Sequence, residues 1–126
     1  PTWVPSLSHV WQLKVLHMDT HLRNELWTGL AGARWGRHNT RLEPRRAEPG
    51  RRCMDSLSVP PSARLLDVGC GCGNQTLEWP SRLDDSSKIT GVDISEPMLT
   101  LANELKAANQ NELQAQVEFI VGDASD

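Results

Sequence analysis

Asp67, Asp93 and Asp123 each stand at the end of a short apolar run, and the first is followed at once by glycines at alternate positions, Gly69, Gly71 and Gly73. Glycine has no Cβ, so a turn built this way brings bare backbone against whatever lies beyond it. Asp93 comes twenty residues after Gly73, at the end of a second apolar run, where a carboxylate can accept hydrogen bonds from both hydroxyls of a ribose. The chemistry these residues predict is the holding of a nucleoside.

A dinucleotide is the first such ligand to test. Its fingerprint places glycines at the first, third and sixth positions of the turn, and the sixth position counted from Gly69 is Asn74. A pyrophosphate also gains from a helix N-terminus and is repelled by carboxylates, whereas Asp67 beside the turn suits positive charge. The predicted ligand is therefore a nucleoside that is cationic at its other end.

Three strands, with helices between them, must present these acids. Residues 64 to 68 form an apolar run between Pro60-Pro61 and Gly69, which suits a buried strand. Residues 74 to 79 offer one or two helical turns that Pro80 should stop, and residues 81 to 87 read as a loop. Residues 88 to 94 are the second strand. Ser95, Glu96 and Pro97 then give a helix start, with a capping hydroxyl, an early acid and an early proline. Met98, Leu101, Ala102, Leu105 and Ala108 share one helical face, and residues 109 to 111 end that helix. Residues 117 to 121 are the third strand, closed by Gly122 and Asp123. Strand, helix, strand, helix, strand predicts a parallel sheet with right-handed crossovers, whose carboxyl edge gathers the three acids.

The segments LLDVGCGCGNQT, TGVDIS and VEFIVGDASD resemble, in that order, the first three motifs of class I S-adenosylmethionine-dependent methyltransferases. The resemblance covers about residues 57 to 126 and is nearest to small-molecule methyltransferases similar to those that methylate ubiquinone and sterols. It implies an α/β fold, a Rossmann-like parallel sheet with flanking helices, and S-adenosyl-L-methionine as cofactor. Gly69, Gly71 and Gly73, with Cys70 among them, would approach the methionine part, and Asp67 would lie near its amino group. Asp93 would hold the ribose hydroxyls, Asp123 would meet the adenine amino group, and Ile94 and Ala124 would flank the adenine ring.

The family's sheet normally has seven strands, whereas this sequence supplies about three, so the reading is of a truncated, partial member lacking the half that usually carries catalytic and substrate residues. No catalytic residue is nameable. Methyl transfer needs an acceptor held in line at near-attack distance, which a cofactor half-site does not provide by itself. The chain starts at Pro1 and stops at Asp126 just after an apolar run, which also reads as part of something longer. The outer edge of the first strand would then be open and apolar, a place for a partner strand. The expected partner besides is a small-molecule methyl acceptor. A second reading, from a different class, is a non-catalytic module that binds S-adenosylmethionine or another nucleoside and acts through a partner.

Charge divides the chain. Residues 1 to 52 carry nine Lys or Arg against four Asp or Glu, residues 53 to 126 four against twelve, and the net is −3. The expected organisation is a basic, Trp- and His-rich segment over residues 1–52, helical or flexible, before a partial cofactor domain over residues 53–126, with the boundary in the Pro-, Gly- and Arg-rich stretch at 44 to 52. Val10, Leu13, Leu16 and His17 could line a helix there, extended by Leu22, Leu26 and Leu30, with Gly29, Gly32 and Gly36 weakening it.

Hydrophobic content of 38% and charge of 23% exclude a wholly disordered chain. No run nears the roughly 20 apolar residues of a membrane span, nor does the start resemble a signal peptide, so a soluble cytoplasmic protein is expected. Of three cysteines, Cys70 and Cys72 are too close in the turn to pair with each other, and with no second cluster they are short of ligands for zinc. No metal is expected. His17 and His21 have a zinc-protease spacing, but Met18 follows where a glutamate would be required. The glycosylation sequon at Asn74 falls inside the expected cofactor turn. The basic stretch from Arg34 to Arg52, near Trp27 and Trp35, could meet nucleic acid, but a solvated arm, or a cap over the substrate in which Trp11, Trp27 or Trp35 takes part, is the preferred reading.

Overall fold

The computed structural model describes residues 20–125. The helix expected from Val10, Leu13, Leu16 and His17 lies outside the described residues, as does Trp11. Two helices come first, α1 (Thr20–Thr28) and α2 (Leu30–Ser56), followed by β1 (Arg64–Val68), β2 (Lys88–Asp93), α3 (Glu96–Ala108) and β3 (Gln116–Val121). The strands form one parallel sheet in the order β1-β2-β3. Leu65, Ile89 and Val117 stand abreast in its register, as do Asp67, Gly91 and Phe119. This is the expected α/β arrangement of three parallel strands with flanking helices.

One face of the sheet is covered. Ile89 is fully buried there with Val117, Trp79, Leu83 and Met54, and Leu65 and Phe119 pack against that cluster. The opposite face carries Leu66, Val68 and Ile120, all exposed. A strand puts successive side chains on opposite faces, so the alternation Arg64 to Val68, exposed and half-buried by turns, records a sheet covered on one side.

Residues 76–82 form a 3-10 turn that runs through Pro80 rather than stopping before it. Its ring is among the most deeply buried groups of the chain, and in so short a piece the missing N–H costs little against that packing. In α3 the buried residues are Met98, Leu99 and Ala102, while Ala108 on the expected face is exposed. The buried face is turned toward Leu99 because α2 also packs on this helix. Ser95 precedes α3, but its hydroxyl makes no capping bond; it is buried without a hydrogen-bond partner, and a Cβ on Gly32 of α2 would come within 2.3 Å of it. The glycine is what lets α2 cross the start of α3.

α2 differs most from the sequence reading. It is one helix of 27 residues, it contains Pro44 and Pro49, and it runs unbroken through the stretch where a boundary was placed. Each interior proline removes a hydrogen bond and costs about 3 kcal/mol, so tertiary contacts must hold the helix. Met54 near its end is part of the core, Gln75 Nε2 donates to Gly50 O at 3.1 Å, and Arg51 grips Glu78 through two bonds of 3.2 Å. Gly29 does separate α1 from α2, but Leu22, Leu26 and Leu30 face outward.

The three glycines of the turn are the described residues with positive φ, +74° at Gly69, +56° at Gly71 and +74° at Gly73. A Cβ on Gly69 would meet nothing within 4 Å, whereas one on Gly73 would lie 2.6 Å from Phe119 Cζ and 3.0 Å from Ala102 Cβ. Gly69→Ala should therefore cost only the left-handed backbone, about 1 to 2 kcal/mol, and Gly73→Ala about 2 to 4 kcal/mol with overpacking added. Urea denaturation followed by circular dichroism tests this; equal losses for the two would refute the packing role of Gly73.

Candidate functional site

The ends of β1, β2 and β3 and the facing surfaces of α1 and α2 enclose a cleft of about 580 Å³. Among the expected residues, Gly69, Cys70, Gly71, Asp93, Ile94, Asp123 and Ala124 line it. Asp67 and Gly73 stand behind that lining. The Asp67 carboxylate accepts the hydroxyl of Thr76 at 2.7 Å, and Thr76 is fully buried, so this acid ties β1 to the 3-10 turn. Gly73 fills the space against Phe119 and Ala102.

The amides of the turn are largely consumed by the protein itself. Gly69 and Cys70 both donate to the Val92 carbonyl, at 2.8 and 3.1 Å, and Gly73 donates to Cys70 O at 3.0 Å. Gly71 donates to Asp93 Oδ2 at 2.8 Å, while Ser95 N–H donates to the other oxygen of the same carboxylate at 2.9 Å. A phosphate-binding turn needs several free N–H groups converging on one anion. Here four amides point at acceptors of the protein, and the cleft receives a carboxylate instead.

Asp123 is satisfied in the same manner. Its Oδ1 accepts the Ser125 hydroxyl and amide at 2.6 and 2.9 Å, and Oδ2 accepts Asn24 Nδ2 from α1 at 2.6 Å. The Ser125 hydroxyl first, then its amide and Asn24, hold the Asp123 carboxyl below the usual carboxylate range. It stays ionised at neutral pH.

Several lining residues escaped the sequence reading, chiefly on α2. Arg46 and Arg51 come from the stretch where a boundary was placed, Glu43 stands just before it, and Glu78 and Met98 complete the glycine side. Burial, more than any neighbour, raises the Glu43 carboxyl above its ordinary value, with Arg46 opposing. The signal that could have found them is weak, since helical periodicity is masked by two prolines. Trp27 and Trp35 also line the cleft, their rings edge-to-face at 6.0 Å.

Residues 65–126 match the family described as a methyltransferase domain. Over these residues the chain is a class I S-adenosylmethionine-dependent methyltransferase domain in part. A trans-aconitate 2-methyltransferase from Variovorax paradoxus (strain S110) is 38% identical over 64 residues, which are 51% of this chain and 24% of that protein. A demethylmenaquinone methyltransferase from Staphylococcus aureus (strain JH9) is 32% identical over 74 residues, 59% of this chain and 29% of that one. A solved methyltransferase from Geobacter sulfurreducens, in complex with S-adenosyl-L-homocysteine, superimposes with a TM-score of 0.50 at 31% identity, covering 62% of this chain and 30% of that chain. The chain thus spans less than a third of the length of these relatives.

Within the methyltransferase domain the thiols of the turn are not nucleophiles. Burial, then Asp67 and Asp93, pushes Cys70 up to about 12, and burial likewise raises Cys72. Cys53 on α2 is exposed. Since the thiolate is the reactive form, iodoacetamide at about pH 8.5 should label Cys53 and spare Cys70, as peptide mass spectrometry will show; prompt labelling of Cys70 in the folded chain would contradict its burial. An unfolded thiol ionises near 9.0 while the folded Cys70 keeps its proton to about 12, so the unfolded state loses its proton first. This contribution to stability is intact below pH 9 and is lost as pH rises through that window.

Proposed function

We propose that the cleft holds S-adenosyl-L-methionine and that the protein transfers its methyl group to a small-molecule acceptor. The observation that carries this reading is the turn whose amides are spent on Val92 O, Cys70 O and the Asp93 carboxylate, leaving a carboxylate-floored cleft unsuited to a pyrophosphate and suited to a cationic nucleoside. When bound, the cofactor supplies an electrophilic methyl group; what the chain's own residues do is bind and orient it.

Asp93, fixed by two amides, keeps lone pairs for the ribose hydroxyls. Gly69 and Gly71, with Cys70, form the backbone wall for the methionine part, and Ile94 and Ala124 flank the adenine. Asp123 serves the adenine amino group by sharing or exchanging the bond it now makes to Asn24. Asp67 is held by the neutral hydroxyl of Thr76 and keeps its charge, facing the cationic end from behind the lining, whereas Glu43 and Glu78 at the lining are paired with Arg46 and Arg51. No residue is assigned as acid or base.

That two relatives are named for trans-aconitate and demethylmenaquinone supports a small acceptor. Among the described residues no helix is long and apolar enough to cross a membrane, and the proposal includes a cytoplasmic setting. It also includes a partner strand at the outer edge of β1, supported by the place of β1 at the end of the sheet order, paired to β2 alone among the described residues. The non-catalytic reading, a nucleoside-binding module, shares every binding assignment and differs only in that no acceptor becomes methylated.

Calorimetric titration with S-adenosylmethionine and its demethylated product is the test. Asp93→Ala should weaken binding by about 1.5 to 3 kcal/mol, roughly ten- to a hundredfold, through loss of charge-assisted bonds, with the helical dichroism retained. Unchanged affinity would refute the ribose assignment, and no binding of either ligand by folded wild-type chain would refute the reading as a whole.

A further inference from the structure

On the far side of the Trp27/Trp35 pair lies a second groove, of about 550 Å³. Arg34, His38, Arg41 and Arg45 line it, at i, i+4, i+7 and i+11 of α2, which places them on one helical stripe about 16 Å long. Ala31 and Leu42 supply apolar surface between them, the two indoles close one side, and no carboxylate is in the lining.

The ion pairing of α2 sets this stripe apart. Arg46 has Glu43 at 3.8 Å and Arg52 has Glu48 at 2.9 Å, while Arg51 has Glu78 at 3.2 Å. Arg46 also lies 5.3 Å over the Trp35 ring. Arg34, Arg41 and Arg45 have no carboxylate partner among the described residues, although like charges one helical turn apart repel. Uncompensated guanidinium groups around an apolar floor match a compact anion, since arginine's fork binds carboxylate and phosphate oxygens in pairs.

We propose that this groove anchors the anionic part of the methyl acceptor, a small molecule bearing two or more carboxylate or phosphate oxygens on an apolar body. The proposal rests on the methyltransferase reading above, because Trp27 and Trp35 line both groove and cleft, so an occupant of one abuts the other across the indole pair. A half-open groove of this volume, bounded on one side by the two indoles, suits a small molecule. A polynucleotide needs an extended basic track, whereas the chain as a whole carries −3.

The test is calorimetry of the 126-residue chain at low salt with citrate, with phenyl phosphate and with a thymidine oligonucleotide, on wild type and on Arg41→Glu/Arg45→Glu. Citrate or phenyl phosphate should bind wild type and lose at least about tenfold in affinity in the double variant, and the one that binds tighter identifies carboxylate or phosphate as the anchored group. Arg52→Gln, outside the groove, should leave binding unchanged, and Arg41→Gln/Arg45→Gln replaces the charge reversal if that variant unfolds. Equal binding by wild type and the double variant, or binding of the oligonucleotide alone, overturns the proposal. S-adenosylmethionine affinity should be the same in both proteins; loss of cofactor binding in wild type with anion binding intact would sink the methyltransferase reading and leave the groove as an anion site.

Discussion

One carboxylate joins the parts of the cleft. Asp93, at the end of β2, accepts the amide of Gly71 from the turn after β1 and the amide of Ser95 at the start of α3. The turn must follow β1 by a path that reverses direction within a few residues, which the positive φ of its glycines permits and which the Val92 carbonyl reinforces by taking two further amides. Charge-assisted bonds of this kind are the stronger class. A single acidic side chain therefore sets the distance between two loops and brings negative charge to a lining that also carries Arg23, Arg46 and Arg51.

That arrangement explains why the acids are spent so differently. Asp67 is turned inward to buried Thr76 and serves β1, Asp93 serves two loops and the cleft at once, and Asp123 is engaged by Ser125 and by Asn24 of α1. Buried polar groups need partners whether or not a ligand is present. The partners chosen here are amides, hydroxyls and one carboxamide, all neutral, so the negative charge itself is never cancelled within these bonds. For Asp93 and Asp123, which line the cleft, that charge is left to face a ligand there.

The sheet and its motifs were legible because their signals are local. Apolar runs of five or six residues, a glycine turn and an acid at each strand end leave few alternatives to a parallel sheet, whose registers only the structure gives. What was not legible depends on a neighbour. Gly73 looks like its two companions in sequence, and only Phe119, 46 residues further on, makes it a packing glycine. Ser95 has the type and place of a helix cap, but α2 arrives over it and the hydroxyl is left without a bond. Pro44 and Pro49 argue for a linker by every local rule, and the helix exists because Met54, Gly50 and Arg51 are held from outside it.

The same dependence bears on how a ligand enters. α1 and α2 meet the sheet domain near the cleft through Asn24 to Asp123, Gly50 to Gln75, Arg51 to Glu78 and the Gly32 crossing at Ser95. Exposed ion pairs contribute at most about 1 kcal/mol each, and neutral hydrogen bonds about as much. The apolar anchor, Met54, lies at the far end of α2, away from α1. The α1 end of α2 is held by packing as well as by these polar contacts, since Gly32 and Gly36 face Ser95 and Pro97 at the start of α3, where Met98 and Leu99 are buried. An adenine amino group arriving at Asp123 would replace the Asn24 bond it displaces. In the proposed binding mode that exchange conserves hydrogen bonds at Asp123 without opening the α2 crossing, and the Asp93 linkage beneath it remains intact.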